Sequence, residues 1–161
     1  MVKRSILERS LRFEALISAS IEEVWAAWTT EEGARTFFAP QCCIDLQPGG
    51  AYEMLFDIEA PKGLQGGEGC VFLAIEPLAM LSFTWNAPPE IPLIRIQRTH
   101  VTIHFKSVST QKTHLILKYD GWGTGADWLS ARKYFEQAWG QVVIPRLIQR
   151  FVSGPINWTH L

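Results

Sequence analysis

The sequence predicts an α+β fold in which a curved antiparallel β-sheet wraps around one long carboxy-terminal helix, with two short helices after the first strand. Two observations carry this. Residues 127–151 repeat apolar side chains at helical spacing, so that Trp128, Ala131, Phe135, Trp139, Val142 or Val143 and Leu147 fall on one stripe. Most of the chain before it alternates polar and apolar residues with period two, as strands do. A stripe this aromatic needs a broad apolar surface, and a sheet wetted on its other face offers one.

The elements follow in order. Residues 11–17 alternate, with Leu11, Phe13, Ala15 and Ile17 on one face. Ser18 or Ser20 opens a helix, Ser20 with Glu23 three residues later matching the capping box, and Val24, Trp25 and Trp28 give its apolar face. Thr30 followed by Glu31 and Glu32 repeats the start signal, and this second helix ends before Pro40. Six strands are expected next, at about 42–46, 51–58, 68–76, 80–86, 98–106 and 113–120. The first two are joined by Gln47-Pro48-Gly49-Gly50, a turn whose positive φ glycine supplies. The proline-rich stretch 87–92 shows neither period and is expected to be extended. Asp127 is expected to cap the final helix, and Pro145 to kink it or end its regular part near Ile144.

Composition narrows the function. With 161 residues, 47% hydrophobic and 19% charged, the chain is expected to form one domain over 1–161, its core spanning about 11–151 between short flexible ends. A net charge of -1, with 15 basic and 16 acidic residues and no basic run, argues against nucleic acid and anionic membrane as partners. No apolar run approaches the ~20 residues that span a bilayer, and the first residues lack the apolar core of a secretory signal. A cytoplasmic location is therefore expected. Cys42, Cys43 and Cys70 are an odd number without CxxC spacing, which speaks against a disulfide framework or a zinc site.

Four segments are more particular. They are Ser-Ala-Ser-Ile-Glu-Glu-Val-Trp at 18–25, Leu-Gln-Pro-Gly-Gly-Ala-Tyr at 46–52, Ile-Glu-Pro-Leu-Ala-Met-Leu-Ser-Phe-Thr-Trp at 75–85, and Gly121-Trp122-Gly123 with Trp139, Gly140 and Leu147 downstream. In this order they resemble the helix-grip fold of the START-like (SRPBCC) superfamily, and more narrowly its Hsp90 ATPase activator homologue 1-like group. The resemblance runs from about residue 11 to 151. It implies a superfamily that includes lipid and hormone carriers, aromatases and cyclases, self-sacrificing resistance proteins and small stand-alone domains. The co-chaperone that names the group carries an additional domain not expected here, so Hsp90 stimulation does not follow from the resemblance.

The inward faces are expected to enclose a space lined by Phe37, Phe38, Met54, Phe56, Trp85, Ile103, Phe105, Leu115, Trp128, Phe135 and Trp139. Phe72 joins them against its own strand's alternation, which puts Val71, Leu73 and Ile75 on the other face. The alternative is that side chains fill the space, since interiors pack densely. His100 and His104 share the polar face of one strand and His114 that of another, where solvated residues are a simpler account than a metal site. Glu53, Asp57, Glu68, Glu76 and Asp120 are acid–base candidates without a partner pattern, and no nucleophile elbow, HExxH or phosphate loop is present. Trp122 is read as a loop anchor rather than a lid.

The leading expectation is a protein that holds a small hydrophobic molecule, apolar or lipid-like, between sheet and helix, with no cofactor, metal or catalytic residue. The alternatives are a cofactor-independent cyclase or hydrolase using the same space, and a module that binds a chaperone or other protein through the sheet or the 87–92 loop. A homodimer stays open.

Overall fold

The computed structural model of the protein describes residues 10–161. The expectations placed on residues 1–9, a flexible end without an apolar leader, lie outside them. Strand β1 (Leu11–Ile17) has the expected bounds. Helix α1 (Ile21–Thr29) opens on the full capping box: the Ser20 hydroxyl accepts from the Glu23 amide at 3.2 Å, and the Glu23 carboxylate accepts from the Ser20 amide at 3.1 Å. Such a cap contributes about 1 kcal/mol. Helix α2 (Glu31–Ala34) starts on Thr30, whose hydroxyl accepts from the Gly33 amide at 2.9 Å.

The six later strands are all present: β2 (Gln41–Ile44), β3 (Tyr52–Leu55), β4 (Phe72–Glu76), β5 (Met80–Trp85), β6 (Thr99–Ser109) and β7 (Lys112–Asp120). Five of the seven form an antiparallel sheet in the order β1-β7-β6-β5-β4, while β2 and β3 form a hairpin. That hairpin extends the sheet beyond β4. The Tyr52 amide donates to the Cys70 carbonyl at 2.8 Å, and the Phe72 amide to the Gly50 carbonyl at 2.9 Å. Its turn uses Gly49 at φ 80.

Alternation puts Val101, Ile103, Leu115, Leu117 and Tyr119 into the core. In β4 the simple alternation fails, for a visible reason. Phe72 pairs with Phe83 and Ile75 with Leu81, so Leu73 is the extra residue of a bulge. The bulge lets Phe72 and Ile75 both face inward and leaves Leu73 47% exposed.

The terminal helix comes in three pieces: α4 (Ala126–Gln137), a π-helical turn (Ala138–Val143) and α5 (Ile144–Ser153). Pro145 has no N–H to return to the preceding turn, and its ring crowds the carbonyl four residues back. The chain widens just before it, where the Ile144 amide reaches the Trp139 carbonyl, five residues back. Between the two candidates of the stripe, Val143 is buried and Val142 lies at the surface. Asp127 is not the cap. The helix starts from Gly125 without a side-chain cap bond, and Asp127 sits inside the first turn, where its charge still favours the dipole. The 87–92 stretch is irregular up to Ile91, after which Pro92 opens a single turn, α3 (Pro92–Arg95).

Candidate functional site: an aromatic cleft beside the terminal helix

Much of the space between sheet and helix is filled by aromatic rings. Tyr52 packs 4.5 Å from Phe83 and 4.6 Å from Phe72, centroid to centroid, and its hydroxyl donates to the Trp28 carbonyl at 2.7 Å. Burial pushes that phenol well above the ordinary tyrosine range. Towards the other end Tyr119 stacks on Phe135 at 4.5 Å and on Trp122 at 4.7 Å, and Arg132 lies over the Trp122 ring. Trp122 is thus held within the core packing as an anchor.

Where the filling stops, a cleft of about 460 Å³ opens. Its floor is a triangle of buried rings: Phe38, Trp85 and Trp139, with centroids 5.2–5.6 Å apart. Phe56, 45% exposed, closes one edge at 6.3 Å from Phe38. One wall is the glycine-rich connection after β3 (Leu64, Gln65, Gly66), another the stretch Asn86 to Glu90, and the third is the helix, through Tyr134, Gln137, Ala138, Val142, Val143 and Arg146.

The two loop walls are fastened to each other. Arg95 donates to the carbonyls of Ala87 (2.7 Å), Gly63 (2.7 Å) and Gly66 (2.8 Å), and lies 3.4 Å from the Glu68 carboxylate. Glu68 in turn accepts from the amides of Gln65 and Gly66, both at 2.8 Å, and from that of Gly63. Asn86 adds a bond to the Gly66 carbonyl at 3.0 Å. A carboxylate gathering several backbone N–H groups organises a loop that has no regular structure of its own. The cleft is thereby shaped before anything enters it.

Of the eleven expected lining residues, Phe38, Phe56, Trp85 and Trp139 meet at this cleft. The other seven lie elsewhere in the core. Phe37 packs on Trp28, Phe105 edge-on to Trp25, Trp128 on Trp122 and Phe135 on Tyr119. Ile103 is buried opposite Leu117, Leu115 opposite Phe105, and Met54 in the hairpin. Phe72 is buried against Tyr52. The alternation finds which side chains turn inward but not where the interior runs out of atoms. Residues that sequence reasoning missed are the polar rim: Glu90, Arg95, Tyr134, Gln137 and Arg146. One signal was available, since Tyr134, Ala138, Val142 and Arg146 repeat every four residues alongside the buried stripe.

The acid–base candidates are occupied with structure. Glu53 accepts from the Gly69 amide at 2.7 Å, Asp57 from the Glu59 amide at 3.1 Å, Asp120 from the Ser10 hydroxyl, and Glu68 holds the loop; Glu76 is exposed. Asp57 also reaches the cleft. On the outer sheet face His114 lies 3.0 Å from Glu14, and this bond together with Arg12 holds the Glu14 carboxyl below its usual range. Among the described residues no three His, Cys, Asp or Glu side chains come together as a metal would require. Burial raises all three thiols, Cys70 to about 11, which disfavours the reactive thiolate. Burial, and next the charge of Glu90, raises the Tyr134 phenol, so the cleft presents it as a neutral hydroxyl.

Known proteins share this fold. The family described as "Activator of Hsp90 ATPase homolog 1-like protein" matches residues 18–151. A Mesorhizobium loti protein, MLL2253, is 25% identical over 88% of this chain and 95% of its own, with a TM-score of 0.68. The Aha1 dimer of Colwellia psychrerythraea, at 16% identity, covers 91% of this chain and 98% of its own with a TM-score of 0.68. DynU16, a protein in the dynemicin biosynthetic locus, matches at 16% identity and TM-score 0.64 over 91% of this chain and 48% of its own. The last two likenesses show a common fold. No curated protein matches the sequence.

Proposed function

Because the chain belongs to the Activator of Hsp90 ATPase homolog 1-like family, we propose that it is a cytoplasmic small-molecule binding protein that holds an apolar ligand, aromatic or lipid-like, beside the terminal helix and needs no cofactor. One observation carries the reading: three packed aromatic rings form the floor of a cleft of about 460 Å³, inside the ~300–1,000 Å³ typical of ligand pockets. The tethering of both loop walls by Arg95 and Glu68 supports it, because a preformed cleft spares the ligand the cost of ordering them.

The test is a thermal-shift screen of lipids and aromatic metabolites, with native mass spectrometry for co-purifying compounds. A ligand at a hundred times its Kd adds about 2.7 kcal/mol, or roughly 5–10 °C at this size. A protein that purifies empty and is stabilised by no apolar compound would contradict the proposal.

Two other readings have specific support. Titratable side chains at the rim (Asp57, Glu90 and Tyr134) are what an enzyme acting on the same ligand would need, and slow conversion of a bound compound would reveal it. Leu93 and Ile96, 64% and 79% exposed beside the 87–92 loop, suit a protein partner, which a pull-down would recover.

A further inference from the structure

We propose that the cleft is polar along its length and selects an anionic ligand, with Arg146 receiving the negative group and the carboxy-terminal strap, through Trp158, holding Arg146 in place. This rests on the cleft being a binding site, as argued above.

The helical wall runs from Tyr134 to Arg146, about three helical turns apart and separated by the π-helical turn. The two ends differ in charge. Near Tyr134 lie Glu90, whose charge raises the phenol, and Arg95, whose charge opposes it. At the other end stands Arg146. The cleft's second cation, Arg95, spends its donors on three carbonyls and Glu68. Arg146 makes no hydrogen bond and no ion pair with any described residue. Asp57, the other carboxylate of the lining, accepts from its own loop and is not paired with Arg146 either. A guanidinium offers five donors in a planar fork, and a part-buried one without an anion is costly until an anion arrives.

Its position is nonetheless fixed. The guanidinium lies 5.2 Å from the centroid of the Trp158 ring. Trp158 is itself tied down, its indole N–H donating to the Arg35 carbonyl at 2.7 Å. The strap is fastened again by the Ile156 amide, which donates to the Thr36 carbonyl at 2.9 Å. Both carbonyls belong to the short segment leading to Phe38, the cleft floor. The carboxy-terminal strap therefore sets a cation in the cleft wall by a cation–π contact, which leaves its N–H donors free for a carboxylate, sulfonate or phenolate.

Two fluorescent probes separate the terms. 1-Anilinonaphthalene-8-sulfonate and N-phenyl-1-naphthylamine share one aromatic skeleton, and only the first carries an anion. Wild type should bind both. R146Q should weaken the sulfonate about tenfold, the loss of a charge-assisted contact, and leave the neutral probe within about twofold. R146K should retain part of the difference, since the charge remains while the fork is lost. W158L should weaken the sulfonate selectively, and should add nothing in the R146Q background, as expected if Trp158 acts only through Arg146. Thermal melts of each variant check folding. Equal loss of both probes in R146Q would make Arg146 mere packing, and unchanged sulfonate affinity would exclude it as an anion site; either overturns the inference while the cleft reading stands. Binding of neither probe to wild type would overturn the cleft reading itself.

Discussion

Tyr52 shows how one side chain joins three parts of this molecule. Its ring sits between Phe72 and Phe83 of the sheet, and its hydroxyl donates to the carbonyl of Trp28 in α1. The hydroxyl is fully desolvated, so the bond replaces what water would otherwise supply. Tyr52→Phe keeps the ring and removes the bond; we expect a loss of about 1–2 kcal/mol, read from urea unfolding with an unchanged m-value. A neutral substitution would show that the Trp28 carbonyl is satisfied without it. The inward direction of Tyr52 was readable from its alternation with Met54. Its partner was not, because the bond spans twenty-four residues and depends on how α1 lies over the hairpin.

At the scale of elements, the chain departs from simple periodicity in three places, and each shapes the interior. The bulge at Leu73 turns both Phe72 and Ile75 inward, which a strict two-residue period cannot express. The π-helical turn before Pro145 carries the buried stripe from Trp139 to Val143, where the period alone left Val142 and Val143 equal. The connection after β3 is neither strand nor free loop. There Gly66 lies against β3 so closely that an added Cβ would fall 2.1 Å from the Met54 carbonyl oxygen. That oxygen belongs to a strand and cannot give way as a side-chain tip would. Gly66→Ala should therefore cost about 1–3 kcal/mol in thermal unfolding and displace the cleft wall; a variant as stable as wild type would mean that the wall is softer than its bonds to Asn86 and Arg95 imply.

The whole molecule is a sheet extended by a hairpin and closed by a helix, and that much was legible because strands, caps and helical stripe each announce themselves locally. Ser20 with Glu23, and the alternation of β6 and β7, needed no tertiary information. The cleft did. Its lining comes from Phe38 and from residues 56–66, 85–95 and 134–146, four parts of the chain whose juxtaposition no local period encodes. The polar rim was hidden for the same reason: Arg95 reads as a surface cation until its contacts with Ala87, Gly63 and Gly66 are seen. Among the described residues no helix is long and apolar enough to cross a membrane. The seven tryptophans make the central claim directly measurable by two-dimensional NMR with N-phenyl-1-naphthylamine as the titrant. The account predicts that the indole signals of Trp85 and Trp139 and the amides of Gly66 and Ala87 shift together, while those of Trp25, Trp122 and Trp128 stay in place. Shifts centred on the latter three, or none anywhere, would contradict it.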